Sequence, residues 1–299
     1  MKTLTLDSFA KLNLYLSVHS KRRDGFHSIN TIFERISLCD RIILKDRSDA
    51  RIVCSCSGQP LPVDSRNLAV RAAQILSQRY APDKGAAIRL IKRVPQGAGM
   101  GGGSSNAASV LLGLNRLWKL GLSLEQLSSV AARIGSDVPF FVHTCRFALA
   151  RGRGELIKPV TGLRKRLLWH VIVVPGLHVS TPLIYKQWDK LRANKNIDIS
   201  RLTRPSSGAK LMILALQKKG RRELAKALFN SLETAALHTY PGLAEVPRAF
   251  AGLGISDILM SGSGSAFFGI VSSRKEAGRI SRQLKKHHAS WHVFVARTV

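Results

Sequence analysis

Pro95-Gln96-Gly97-Ala98-Gly99-Met100-Gly101-Gly102-Gly103-Ser104-Ser105-Asn106-Ala107-Ala108 places five glycines in seven positions, between segments of opposite periodicity. Upstream, residues 87–94 alternate as a strand does, and Pro95 halts them. Downstream, Ala107, Val110, Leu111, Leu114, Leu117 and Trp118 recur at helical spacing, which predicts a helix over about 104–120, ended by Gly121. Glycines permit positive φ and close approach of backbone to a ligand. A run of N–H groups ahead of a helix N-terminus is an anion site. Ser104 and Ser105 could cap that helix or offer hydroxyls to a phosphate or a metal.

Two familiar phosphate loops are excluded. Gly97, Gly99 and Gly102 match G-x-G-x-x-G, but a second helix follows where a dinucleotide site needs a strand ending in an acidic residue. No Lys-Ser/Thr pair follows the glycines, so the loop is not of the Walker type and must find its positive charge elsewhere.

On the N-terminal side, Leu4, Leu6, Leu12, Leu14, Leu16 and Val18 alternate with polar residues, which predicts a strand carrying Lys11 and Asn13 on its non-core face. Residues 21–25 form a charged turn, 29–44 read as further strand broken near Asp40, and 67–80 as a helix. On the C-terminal side, Ser123 and Gln126 have capping-box spacing at the head of a helix running to about Ile134. A Gly/Pro-containing stretch, 153–163, could join two domains. Beyond it come a buried strand (167–174), helices over about 182–192, 208–218 and 221–237, and a second glycine/serine loop, Ser261–Ser265, opening strand 266–271. A basic helix (274–287) and a strand (291–296) finish the chain. Strands first and helices packed on them predict an α+β fold.

Lys and Arg number 47 against 18 Asp and Glu, a net charge of +29 spread over both halves of the 299 residues. Such a field attracts polyanions, yet no cluster of aromatic and basic residues suits reading nucleic-acid bases, so no specific nucleic-acid partner is expected. No apolar run approaches the ~18 residues of a membrane span, and Asp7 and Lys11 interrupt any secretory signal. Cys39, Cys54, Cys56 and Cys145 lack metal-ligand spacing and are expected as reduced core thiols, with Cys54 and Cys56 on one strand face. These features suggest a cytoplasmic protein without membrane contacts.

The glycine loop resembles the second motif of the GHMP kinase superfamily. In the form Gly97-Ala98-Gly99-Met100-Gly101-Gly102-Gly103-Ser104-Ser105-Asn106 it is similar to the branch acting on 4-diphosphocytidyl-2-C-methyl-D-erythritol. Four further stretches agree, in family order: Ala10–Leu14; Arg23–His27 with Thr31–Phe33 and Leu38–Asp40; Gly135–Phe141; and Met260–Ser265. The resemblance implies two domains, residues 1–160 like ribosomal protein S5 domain 2 and residues 161–299 ferredoxin-like. It implies a bacterial enzyme, a monomer or weak homodimer. Its reaction would be ATP-dependent phosphorylation of the 2-hydroxyl of its cytidylated substrate, in non-mevalonate isoprenoid precursor synthesis. It places ATP's phosphates on Pro95, Gly97, Ala98, Gly99, Met100, Gly101, Gly102, Gly103, Ser104 and Ser105. ATP chemistry brings Mg²⁺, but no glutamate matches the superfamily's metal position, so its ligands stay unassigned.

Phosphoryl transfer needs positioning, charge neutralisation and a group that manages the hydroxyl proton. The resemblance assigns the last to Asp137, oriented with the hydroxyl by Lys11. By itself Asp137 reads as an ordinary N-cap before Pro139, and Lys11 can be read as a solvated strand lysine. Asn13 would hold the erythritol portion. Phe26 and Tyr185 would wall the cytosine, His27 would read its edge, and Thr181 would line the same subsite; Phe26 stands where the family commonly has tyrosine. Tyr185 alone reads also as a core aromatic of an amphipathic helix. His143, His170 and His178 read as structural.

Overall fold

In a computed structural model, which describes residues 2–194, 198, 202–204, 207–218 and 220–299, the chain builds two sheets with helices. Strands β1 (Thr3–Lys21) and β2 (His27–Arg47) form a long antiparallel hairpin. The expected break near Asp40 is a slip in the ladder: Phe9 faces Cys39 while Ala10 faces Ile36, leaving Ser37 and Leu38 as a bulge. There β2 changes partner on its other edge, from β5 (Phe147–Arg151) before the bulge to β4 (Gly85–Ile91) after it. Strand β3 (Ile52–Ser57) lies parallel to β4, and α1 (Leu68–Tyr80) joins them.

Helices α1, α2 (Gly102–Leu117), α3 (Leu124–Ile134) and the short α4 (Val138–Val142) cover one face of this sheet over a core that includes Leu76, Ile88, Leu111, Leu127 and Phe140. Local signals set their ends. Asn67 accepts from the Ala69 amide at 3.0 Å, and both bonds of the Ser123–Gln126 capping box form. Helix α2 starts two residues earlier than its apolar spacing predicts, so the last glycines of the loop are its first turn. At Gly113 it lies so close to the sheet that a Cβ would stand 2.4 Å from Leu44.

The second sheet runs β11 (His292–Arg297), β7 (Trp169–Val174), β10 (Phe267–Val271), β9 (Ile258–Met260), all antiparallel. With α5 (Thr181–Ala193) and α10 (Arg274–His287) as crossovers this is the ferredoxin-like order. Its helix-covered face buries Trp188, Phe250, Phe267 and Ile280. Its other face meets β1 and β2 in a core shared by both halves, which includes Leu12, Leu14, Ile36, Ile172 and Phe268.

Two expectations are corrected. The helix expected over 208–218 is α6 (Gly208–Gln217), but the segment expected as one helix over 221–237 is α7 (Arg221–Ala227), the two-residue strand β8 (Phe229–Asn230) and α8 (Glu233–Thr239). Strand β8 lies parallel to β1, and the Ser231 amide bonds Leu16 O at 2.9 Å, so pairing overrides the helical pattern. Within 153–163, the stretch expected to join two domains, β6 (Leu156–Pro159) pairs with β5. The four cysteines are free but half-buried rather than core; burial raises the Cys54 thiol to about 11. Sequence periodicity gave no sign of α9 (Glu245–Gly252) or of β9.

Candidate active site

The glycine loop runs along the seam between the two halves. Gly97, Gly99 and Gly101 have φ of +66°, +74° and +68°, the left-handed region that favours glycine. Between them the Ala98 and Met100 side chains are buried in the shared core. Their carbonyls accept from the amides of Ala266, at 3.2 Å, and Lys11, at 3.0 Å. Apolar side chains thus anchor the loop downward while Gly97, Gly99, Gly101 and Ser104 line a cleft of about 750 Å³.

The second glycine/serine loop closes on the first. Ser261 Oγ donates to Gly99 O at 3.0 Å, and Asn230 Nδ2 donates to Gly262 O at 2.8 Å. A Cβ on Gly99 would lie 2.0 Å from Ser261 O, whereas one on Gly97 would meet nothing within 4 Å. Gly99→Ala is therefore expected to cost about 2–5 kcal/mol, from overlap with backbone added to left-handed strain. Gly97→Ala carries the strain only, about 1–2 kcal/mol. Urea unfolding of the two variants checks this; equal losses would refute the close approach.

Ser105 departs from expectation. Its hydroxyl accepts from Ser8 Oγ at 2.8 Å and its amide donates to Gly101 O at 2.8 Å, so its side chain faces the interior rather than the cleft. A Cβ on Gly102 would lie 3.0 Å from Val94 and 3.3 Å from Lys92 Nζ, and one on Gly103 would lie 3.7 Å from Leu68. Pro95 likewise is not among the cleft-lining residues. Beneath them lies a polar network that periodicity did not reveal. Asp40 accepts from Lys92 Nζ, from Asn106 Nδ2 at 2.9 Å, and from the amides of Arg93 at 2.7 Å and Val94 at 2.9 Å. Asn106 Nδ2 also donates to Ser8 Oγ at 2.9 Å. The segment leading into the loop is thus held by one buried carboxylate.

Lys11 and Asn13 share a face of β1, as period two requires, but both are buried: Lys11 lies among Phe33, Gly101 and Asp137 of the first half, and the Asn13 amide donates to Ser261 Oγ at 3.3 Å. Lys11 Nζ donates to Asn13 Oδ1 at 2.5 Å and lies 3.5 Å from Asp137 Oδ2. Asn13 Nδ2 donates to Thr31 Oγ1 at 2.9 Å. Burial lowers the Lys11 pKa, and the Asp137 carboxylate opposes that shift. Asp137 heads α4 without any side-chain capping bond, and 30% of its side chain is exposed to the cleft. Its carboxylate therefore faces Lys11 and open space, not the helix amides.

The far end of the cleft is aromatic. Phe26, His27 and Tyr185 line it with Thr181, whose Oγ1 lies 2.6 Å from Ser263 Oγ. The Tyr185 and His27 rings stack, with centroids 5.1 Å apart and 28° between planes. Burial, with Asp137 adding to it, raises the Tyr185 phenol. His27 is only 7% exposed, its ring edge packs on Trp188, and Nε2 bonds Asp189 Oδ1 at 2.8 Å. It backs Tyr185, and any contact with a base edge falls to its other ring nitrogen. Lys21, Ser136, Arg153, Lys186 and Asp189 also line the cleft. Lys186 and Asp189, next to and one turn beyond Tyr185, were open to inference from the sequence; Arg153 was not.

Fold, glycine loop and cleft together define the class. Residues 67–144 match the N-terminal domain of the GHMP kinases and residues 212–290 their C-terminal domain. The 4-diphosphocytidyl-2-C-methyl-D-erythritol kinase of Bacillus pumilus (strain SAFR-032) is 38% identical over 276 residues, 92% of this chain and 91% of that protein. The kinase of the same description from Chlorobium phaeobacteroides (strain DSM 266 / SMG 266 / 2430) is 40% identical over 278 residues, 93% and 90% of the two chains. A crystal structure of 4-(cytidine 5'-diphospho)-2C-methyl-D-erythritol kinase superposes with a TM-score of 0.77 at 34% identity, covering 98% of each chain. The chain belongs to the GHMP kinase family, in its 4-diphosphocytidyl-2-C-methyl-D-erythritol kinase branch.

Proposed function

We propose that the chain transfers the γ-phosphoryl group of ATP to the 2-hydroxyl of 4-diphosphocytidyl-2-C-methyl-D-erythritol, a step of non-mevalonate isoprenoid precursor synthesis. The observation that carries this reading is a single cleft lined by the glycine loop, by Lys11 and Asp137, and by the Phe26–Tyr185 aromatics. The phosphates lie against Gly97–Ser104, where loop amides and the N-terminus of α2 favour negative charge. The substrate hydroxyl sits between Lys11 and Asp137; Asp137 accepts its proton, and Lys11 holds both groups in line. Asn13, fixed by Lys11 and Thr31, orients the erythritol portion, and the pyrimidine stacks between Phe26 and Tyr185. Residues 1–160 supply the phosphate loop and the Lys11–Asp137 pair, and residues 161–299 supply Thr181 and Tyr185.

Mg²⁺ fits the donor set. Ser104 presents a hard oxygen to the cleft beside the glycine loop, and among the described residues no three His, Cys, Asp or Glu form a cage. That suits an ion held chiefly by phosphates, which would neutralise charge on the transferring group. Among the described residues no helix is long and apolar enough to cross a membrane.

A coupled kinase assay with the cytidylated substrate beside homoserine and mevalonate tests the reading. Turnover is expected with the first alone. A kcat/KM for homoserine or mevalonate equal to or above that for the cytidylated substrate would overturn it.

A further inference from the structure

The turn Gly152-Arg153-Gly154-Glu155 between β5 and β6 overlooks the aromatic end of the cleft. It is pinned to the sheet: the Ile29 amide donates to Gly152 O at 2.8 Å and the Gly154 amide to Arg151 O at 3.0 Å. Glu155 tethers the arginine within it. Its Oε2 accepts from the Arg153 amide at 2.6 Å, and its Oε1 lies 3.8 Å from Arg153 Nε. The guanidinium carbon then stands 5.1 Å over the centroid of the Phe26 ring.

Phe26 needs such support. Its backbone is fixed, since its amide donates to Asp24 Oδ1 at 3.2 Å and its carbonyl accepts from the Arg22 amide at 2.7 Å. The residue, however, is 52% exposed. An exposed ring that must be ordered on binding subtracts from affinity. A planar guanidinium over one face orders the ring and gains cation–π attraction. Phe26 is then left with one face for a base.

We propose that Arg153 is a positioning residue for nucleobase recognition: held by Glu155, it covers one face of Phe26 and sets the other toward the cleft as a wall for the pyrimidine. The proposal rests on the reading that the pyrimidine stacks on Phe26. It differs from a direct role of Arg153 on the substrate's diphosphate, a role for which Glu155 already competes.

Steady-state kinetics of Arg153→Ala, Phe26→Ala and the double variant, at saturating ATP, test it. Arg153→Ala is expected to raise KM for the cytidylated substrate about two- to tenfold, the range of an exposed to partly desolvated cation–π pair, with kcat and KM for ATP unchanged. In the Phe26→Ala background, removing Arg153 should add nothing. Cytidine, which carries no phosphate, should lose potency as a competitive inhibitor by the same factor as the substrate. The proposal is overturned if Arg153→Ala weakens the substrate equally with and without Phe26, or weakens the substrate but not cytidine. Both results assign Arg153 to the diphosphate. An unchanged KM in Arg153→Ala alongside a raised KM in Phe26→Ala overturns the proposal alone. An unchanged KM in Phe26→Ala itself overturns the stacking reading as well.

Discussion

Asp137→Ala lowers kcat at least ~10²-fold and leaves ATP affinity within about twofold, because positioned acid–base groups contribute about 10²–10⁴ to rate. The geometry separates this effect from a loss of fold. Asp137 heads α4 but makes no capping bond, so the helix loses no hydrogen bond when the carboxylate goes. The group that loses a partner is Lys11, at 3.5 Å, and it keeps Asn13 at 2.5 Å. The nucleotide's proposed contacts lie on the 97–104 side of the cleft and are untouched. Turnover at saturation of both substrates, with calorimetric ATP binding on the same preparation, checks the expectation. A correctly folded variant with near-wild-type kcat would remove Asp137 from the chemistry. Lys11→Ala should share the loss of turnover, since both groups act on one hydroxyl.

What was legible in the sequence was what short-range physics encodes. Period two on β1 put Lys11 and Asn13 on one face, and the structure keeps them there, 2.5 Å apart. The helix start marked by the Ser123–Gln126 box lies where its side chains require. The glycine run announced positive φ, and Gly97, Gly99 and Gly101 adopt it. Illegible were features set by partners distant along the chain. A two-residue strand such as β8 has no period to detect; it exists because β1 offers an edge at Tyr15 and Leu16. His27 was placed as a base reader, but Asp189, 162 residues away, engages Nε2. The two serines of the loop looked alike, yet helical rotation sends Ser104 to the cleft and Ser105 to Ser8. The charge missing from the glycine loop pointed outward in the sequence. In the fold Lys92 lies directly behind Gly102, neutralised by Asp40.

That pair carries a large expected stability effect. Asp40 is wholly buried and its two oxygens serve four donors: the amides of Arg93 and Val94 on one, the Lys92 ammonium and the Asn106 amide on the other. Asp40→Ala leaves Lys92, also buried, with Asn106 Oδ1 at 3.1 Å as its remaining bond among those described. Removing one partner of a buried ion pair costs about 3–5 kcal/mol, because the other charge stays desolvated and unpaired. Against a typical total of about 5–15 kcal/mol, that is a large share of the stability. The loss should reach the nucleotide site too, since the two freed amides lie immediately before Pro95, where the glycine loop begins. ATP affinity is therefore expected to fall along with the urea midpoint. Adding Lys92→Met to Asp40→Ala separates an unpaired charge from a mere cavity. Removing the stranded ammonium should restore at least ~1 kcal/mol, because an apolar replacement of both partners is often neutral. If the double variant is less stable than Asp40→Ala alone, Lys92 contributes by packing rather than by its charge, and the ion pair is not what holds the start of the loop.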